Sequence, residues 1–346
     1  MDKLIIGISG INAVDNPGPG IGVARSLKED TELDVEIVGL AYDAMEPGIF
    51  MDWIVDKSFI LPYPSGSGDA FLDRLLYIKQ QHGLDFVIPN LAAELPVFIK
   101  SATTLAEHGI GTFLPSMEQF RLRGKDRLTE VASKLQIALP ETKVVNTLDS
   151  LTKAVDDIGL PVMVKGPFYK AYRAYTTQEA ISHYHALVAE WGYPVIVQEV
   201  VTGDELNVVG LGDGAGQSLG LVAIKKLSIT ALGKIWTGVT ITNDRMLAAA
   251  GRLISEYKWR GPFELECIVN SDDVYLVEIN PRFPAWSYFA TGVGVNLPSR
   301  LVRQARGWPM PPLPAYAAGK LFVRYTYELV TDMVNFQKAV TRGEAP

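Results

Sequence analysis

At 346 residues the chain has the length of about two ordinary domains. Hydrophobic residues make up 48% and charged residues 21%, near the averages of soluble globular proteins, which excludes a disordered, collagen-like or coiled-coil chain. A net charge of −7 with no basic stretch argues against nucleic acid and against an anionic membrane surface as partners.

The single cysteine, Cys267, cannot form an internal disulfide, which fits a reducing compartment. The opening Leu4–Ile8 run is shorter than a signal peptide's apolar core, and no apolar stretch reaches the roughly 18 residues of a membrane span. A soluble, cytoplasmic protein is expected.

Strand and helix signals alternate at first. Leu4–Ile8 reads as a buried strand, Ile21–Lys28 as a helix, Asp34–Leu40 as a strand, Phe71–His82 as a helix, Asp85–Pro89 as a strand and Leu95–His108 as a helix ended by Gly109. Apolar strands alternating with helices predict a parallel sheet covered on both faces. A boundary falls near Thr112–Ser116. Helices are expected over Met117–Phe120 and Lys125–Leu135, then strand Glu141–Val145, helix Ser150–Ile158, strand Val162–Lys165, helix Thr177–Trp191 and strand Val195–Val200. A β-rich stretch, Glu205–Val239, precedes helix Arg245–Tyr257 and strands Phe263–Val269 and Val274–Ile279. A proline-rich tail after Gly307 holds one strand-like run, Lys320–Tyr327.

Gly18-Pro19-Gly20-Ile21-Gly22 opens a helix and invites a dinucleotide reading. That fingerprint needs a glycine where Val23 stands, and the preceding strand ends too early for a tight phosphate turn. A substrate or structural loop is the better reading.

The chemistry gathers later. Strand alternation sets Glu264 and Glu266 on one face of their strand, and Leu276, Glu278 and Asn280 on one face of the next. Carboxylates and an amide oxygen on apolar strands call for a cation, and hard oxygen ligands suit Mg²⁺ or Mn²⁺. Facing of Glu266 and Glu278 requires an odd-length loop between the strands; the even loop Asn270–Asp273 sets Glu266 opposite Val277. Arg282 offers a planar fork to an anion. Lys165 closes the apolar strand Val162–Lys165, where a lysine either pairs with an anion such as phosphate or escapes to solvent.

Taken in order, Gly124-Lys125-Asp126, Pro161-Val162-Met163-Val164-Lys165, Gln198-Glu199-Val200-Val201-Thr202-Gly203-Asp204-Glu205, Glu266 and Glu278-Ile279-Asn280-Pro281-Arg282 resemble the ATP-grasp superfamily, in its carbamoyl-phosphate synthetase and biotin carboxylase branch. The resemblance covers roughly Met1 to Gly307. It implies an α/β and α+β fold: a Rossmann-like pre-ATP-grasp domain over 1–115, an ATP-grasp domain of two α+β subdomains over 116–312 with a lid at about 128–198, and a tail over 313–346. It implies ATP clamped between the subdomains. Lys125 and Lys165 would lie on the phosphates, Gln198, Glu199 and Val201 against adenine, and Glu205 on the ribose. Glu266, Glu278 and Asn280 would hold Mg²⁺ or Mn²⁺, and Arg282 and Lys165 would act on the transferred phosphate or acyl group. The implied activity is ATP-dependent ligation of a small-molecule or peptide carboxylate to an amine or thiol through an acyl phosphate. The alternatives are a nucleotide-binding regulatory protein and, if nicotinamide binds at Gly18–Gly22, a dehydrogenase. A homodimer is compatible with the resemblance.

Two stretches depart from the family. The loop Gly166–Arg173 has one glycine where a glycine-rich lid is usual, so Lys170 or Arg173 is expected to replace backbone donors, with Phe168, Tyr169 and Tyr172 closing over the site. Phe283-Pro284-Ala285-Trp286 stands where small residues are common. Elsewhere, His82, His108, His183 and His185 lack metal-ligand spacing, Cys267 reads as core, and either Lys225 or Lys226 could reach phosphate. Asn12, Asp15, Asn90 and Glu94 follow strand ends, as substrate contacts or as turn formers.

Overall fold

The computed structural model describes residues 3–13, 16–125, 127–166, 170–231, 233–271 and 273–345. It divides into two compact units. One comprises Met1–Arg127, Leu206–Leu265 and Glu278–Pro346, the other Leu128–Glu205 and Glu266–Val277.

The first unit begins with five parallel strands: β1 (Leu4–Ser9), β2 (Val35–Ala41), β3 (Lys57–Ile60), β4 (Phe86–Ile88) and β5 (Gly111–Thr112), in the order β3-β2-β1-β4-β5. Their apolar runs are buried through Ile6, Ile8, Ile37, Leu40 and Phe86, as a sheet with both faces covered requires. Helices Pro19–Lys28, Gly68–His82 and Leu95–Glu107 connect them. The strand order reverses between β1 and β4, the place where ligands of open parallel sheets usually settle.

The Gly18–Gly22 loop serves packing. A Cβ on Gly20 would lie 2.2 Å from the Ser9 carbonyl oxygen, so only glycine lets this helix start against the strand end. The Gly18 and Gly20 amides donate to the Asn12 and Gly10 carbonyls, so loop backbone already takes both.

The second unit contains β6 (Thr142–Val145), β7 (Val162–Lys165), β8 (Ala171–Ala174) and β9 (Val195–Glu199), an antiparallel sheet ordered β6-β9-β7-β8. Helices Leu148–Ile158 and Thr177–Trp191 bury Leu151, Val155, Ala180 and Leu187 with Val162, Val164, Val195 and Val197. The segment Lys125–Leu135 is helical only from Leu128.

The remaining large sheet contains β10 (Asp204–Asp213), β11 (Ser218–Ile229), β12 (Ile235–Ile241), β13 (Arg260–Val269), β14 (Val274–Asn280) and β15 (Leu321–Val323), ordered β14-β13-β10-β11-β12-β15. Of the expected Lys320–Tyr327 strand, only β15 forms, antiparallel to β12. The last strand, β16 (Glu344–Ala345), returns antiparallel to β3, so the carboxyl-terminal segment completes the first sheet. Among the described residues, no helix is long and apolar enough to cross a membrane.

Candidate active site

In the first unit the focus is Glu264 on β13, 4% exposed. Its Oε1 accepts from Asn207 Nδ2 at 2.8 Å and Trp286 Nε1 at 2.7 Å; its Oε2 accepts from Arg282 Nη1 at 3.1 Å and Asn280 Nδ2 at 3.3 Å. A carboxylate buried among apolar strands survives only with such compensation, here one guanidinium and three neutral N–H donors. Asn207 is 1% exposed and its Oδ1 has no partner. Asn280 spends its amide nitrogen on Glu264, which orients the carboxamide oxygen away from that carboxylate.

A carboxylate that meets Asn280 and Arg282 is thus Glu264, a residue not among the expected metal ligands Glu266, Glu278 and Asn280. Asn270, whose N–H donates to the Asp273 carbonyl, and Asp273 bound the four-residue turn, the even loop, and an unbroken ladder from it would not bring Glu264 and Asn280 to one face. Burial along β14 departs from strict alternation: Val274 and Leu276 are buried, Val277 half-buried and Glu278 exposed, and then Ile279 and Asn280 are both buried. Of the residues expected to share a face, Leu276 and Asn280 are therefore buried while Glu278 is exposed. Glu266 is half-buried on β13.

Beside this cluster, Arg324 donates from Nη2 to the Ala285 carbonyl, while its Nε is buried without a partner. Burial holds its guanidinium down to about 10. Forty-two positions separate it from Arg282 in sequence, and the proline-rich tail gave no signal for it. Lys225 and Lys226 on β11 are both half-buried, opposite Val239 and Gly238. Lys125 lies exposed in the turn where Arg127 N donates to the Gly124 carbonyl; Asp126 lies outside the described residues.

In the second unit Lys165 ends β7 half-buried, its Nζ donating to Gln198 Oε1 at 2.5 Å while Gln198 Nε2 donates to Thr142 Oγ1 at 2.8 Å. Glu199, exposed at the end of β9, accepts from Glu141 N at 3.1 Å and donates its own N–H to the Glu141 carbonyl. Val201 is half-buried and Glu205 exposed. Between them, a Cβ on Gly203 would stand 2.6 Å from the Val269 carbonyl, so glycine is needed there. Lys170 has a positive φ of 66° and pairs with Glu190 at 2.7 Å; Arg173 reaches Tyr175 OH at 3.5 Å. Tyr172 stacks on His183 at 4.7 Å. Phe168 and Tyr169 lie outside the described residues, as does Asp15. Cys267 is buried, and burial, with the Glu266 charge, pushes its thiol up to about 12, the state of an inert core thiol. Among the described residues, no three His, Cys, Asp or Glu side chains gather as a ready metal site.

No family model matches the chain. Solved structures do. Biotin carboxylase from Campylobacter jejuni, in complex with β,γ-ATP, superposes with a TM-score of 0.68 over 90% of this chain and 72% of its own, at 14% identity. This chain has the ATP-grasp fold. The biotin carboxylase domain of 2-oxoglutarate carboxylase from Hydrogenobacter thermophilus, a dimer with MgADP, ADP and bicarbonate, gives 0.66 over 88% and 69% at 18% identity. N5-carboxyaminoimidazole ribonucleotide synthetase from Thermus thermophilus gives 0.66 over 91% and 81% at 16% identity. All lie at identities where fold is shared and chemistry must be argued from the site. The ATP-grasp resemblance is therefore confirmed at the level of fold.

Proposed function

We propose that this ATP-grasp chain is an ATP-dependent ligase that joins a carboxylate to an amine or thiol. The observation that carries the reading is the strand end where a buried carboxylate, Glu264, orients Asn280 and Arg282, with Arg324 held close to the following turn. Two arginines suit an anionic acyl group or its phosphate, since guanidinium stays charged and forks to paired oxygens. Lys165, steered by Gln198, and Lys125 would neutralise the nucleotide phosphates. Gln198, Glu199 and Val201 would line adenine, Glu205 would take the ribose hydroxyls, and Lys170 or Arg173 would cover the phosphates after exchanging their present partners.

A carboxylate oxygen would attack the γ-phosphorus, the bond to the β,γ-bridging oxygen breaking and ADP leaving. The nucleophile would then attack the acyl carbon, expelling phosphate and losing its proton. Catalysis of this kind rests on positioning and charge neutralisation. The family resemblance would have Glu266, Glu278 and the Asn280 carboxamide hold a divalent ion, Mg²⁺ or Mn²⁺, which would supply positive charge to the phosphates.

A second reading, nucleotide binding without turnover, is favoured by one observation. Both Glu264 oxygens already hold two N–H donors each, one of them from Trp286. ADP formation with a panel of carboxylates and amines, run beside nucleotide thermal shifts, separates the two. Stabilisation by Mg-ATP without ADP formation across the panel would establish the second reading. Stabilisation by nicotinamide nucleotides alone would overturn both.

A further inference from the structure

At the carboxyl ends of β1, β2 and β4 lies a polar cluster that the ligase reading does not use. Its hub is Glu94, 0% exposed, with Oε1 accepting from Ser9 Oγ, Asn90 N at 2.8 Å and Leu91 N at 2.9 Å, and Oε2 accepting from Tyr42 OH. Four donors occupy this carboxyl. Its neighbours are not so served. Asn90, 0% exposed, gives Nδ2 to the Ser9 and Ile88 carbonyls, at 3.0 and 2.9 Å, so its Oδ1 faces away from them, and that oxygen has no partner. Glu46, 8% exposed, accepts the Tyr42 N–H on Oε1 at 2.8 Å, and its Oε2 has no partner. Asn12 Oδ1 is likewise buried and unpartnered. It adjoins the same strand end: a Cβ on Gly18 would lie 2.4 Å from both Asn12 Oδ1 and the Gly10 carbonyl, and a Cβ on Gly10 would lie 3.1 Å from Asn90 Cβ.

We propose that Glu46, Asn90 and Asn12 bind the amino group of a primary amine, held as its ammonium at the ends of β1, β2 and β4. Every unsatisfied atom in the cluster is an acceptor, and buried acceptors without donors are rare in folded proteins. An ammonium carries three donors, one for each of the three side chains, and a single charge that one carboxylate balances. Water carries two donors and no charge. A divalent metal would want more than one charged oxygen, and of the two carboxyls here Glu94 already accepts three donors on Oε1 and one on Oε2. The position agrees: ligands of open parallel sheets settle where strand order reverses, here between β1 and β4. Burial pushes the Glu46 carboxyl up to about 7, against the Tyr42 and Asp43 amides, with Glu94 and Asp43 as the charged groups facing it. An ammonium partner reverses that penalty. The identity of this amine as the ligase nucleophile rests on the function proposed above; its binding does not.

The test uses the full chain without ATP at pH 8, titrated with ethylammonium chloride, against sodium chloride, magnesium chloride and ethanol at matched concentration. The expected result is saturable stabilisation and calorimetric binding with ethylammonium alone. Glu46→Gln, which keeps the shape but presents a donor, should weaken that binding on the order of tenfold to a hundredfold. Asn12→Ala, at a half-exposed position, should weaken it severalfold in a protein that melts as the parent does. Absence of saturation in the parent chain, an equal response from Glu46→Gln and Asn12→Ala, or the same shift from sodium or magnesium chloride would overturn the proposal. Amine binding as described with no ADP formation in the panel would refute the ligase reading alone. ADP formation with an unchanged amine KM in Glu46→Gln would refute the identity of this amine as the ligase nucleophile.

Discussion

Glu46→Gln also makes a stability prediction that needs no ligand. The Glu46 carboxyl moves from 4.5 to about 7 on folding, chiefly through burial. The folded protein therefore holds this proton more tightly than the unfolded chain. The associated stability is complete below pH 4.5 and is lost as the pH rises through 7. At 1.36 kcal/mol per pH unit, the loss amounts to about 3 kcal/mol. Glutamine does not titrate, so whatever constant offset its amide introduces, the stability of Glu46→Gln minus that of the parent should climb by about 3 kcal/mol between pH 4 and pH 8. Urea unfolding at intervals across that range measures the difference, and groups that titrate independently of Glu46 cancel from it. Saturating ethylammonium should flatten the climb by lowering the parent's carboxyl. Parallel stability curves, or a difference that falls with pH, would refute the reasoning about Glu46.

Glu278→Gln should leave the melting temperature almost unchanged, since the side chain is exposed, while lowering ADP formation by orders of magnitude; turnover at the parental rate would remove Glu278 from the proposed cation site. Trp286→Phe removes the 2.7 Å donor to buried Glu264 and should destabilise the fold by roughly 1–3 kcal/mol in urea, and an unshifted midpoint would show that the indole N–H is dispensable. The Lys170→Ala, Arg173→Ala double variant should raise the KM for ATP with little change in melting, because the Lys170 pair with Glu190 is exposed; unchanged kinetics would make the loop structural. Cys267 should resist iodoacetamide at pH 8 in the native protein and react once the chain is unfolded, and rapid native labelling would contradict its burial.

The parallel sheet was legible because its strands are continuous apolar runs and its helices carry end signals such as Gly83 and Gly109, both with positive φ. What escaped lacks local pattern. β3 is Lys-Ser-Phe-Ile, four residues, and β8 is the short polar-aromatic Ala171–Ala174. The helix Leu297–Arg306 buries two arginines, which a hydrophobic pattern does not anticipate. Arg303 is held by Asp30 and Glu32, and Arg300 by the Leu219 and Pro311 carbonyls, all distant in sequence. The two residues of β16 pair with β3 across nearly the whole chain, a contact that no window of sequence contains.

The site shows the same division at finer scale. The Glu-Ile-Asn-Pro-Arg string and Lys165 with Gln198 could be read from residue type and order. Which acidic residue of β13 joins Asn280 could not, because alternation counts positions and is blind to where a strand departs from it. Glu264 falls among Asn207, Asn280, Arg282 and Trp286, where strict alternation from the turn would not have put it with Asn280. Trp286, where small residues were expected, has a place in the same cluster. An indole N–H 2.7 Å from Glu264 supplies a neutral donor to a carboxylate that Arg282 alone leaves half satisfied. Trp286 is thus part of what satisfies the buried Glu264, and Glu264 is part of what aims Asn280 and Arg282. Removing the indole N–H should consequently loosen both, so Trp286→Phe is expected to raise the KM for the carboxylate substrate through a residue that need not touch it.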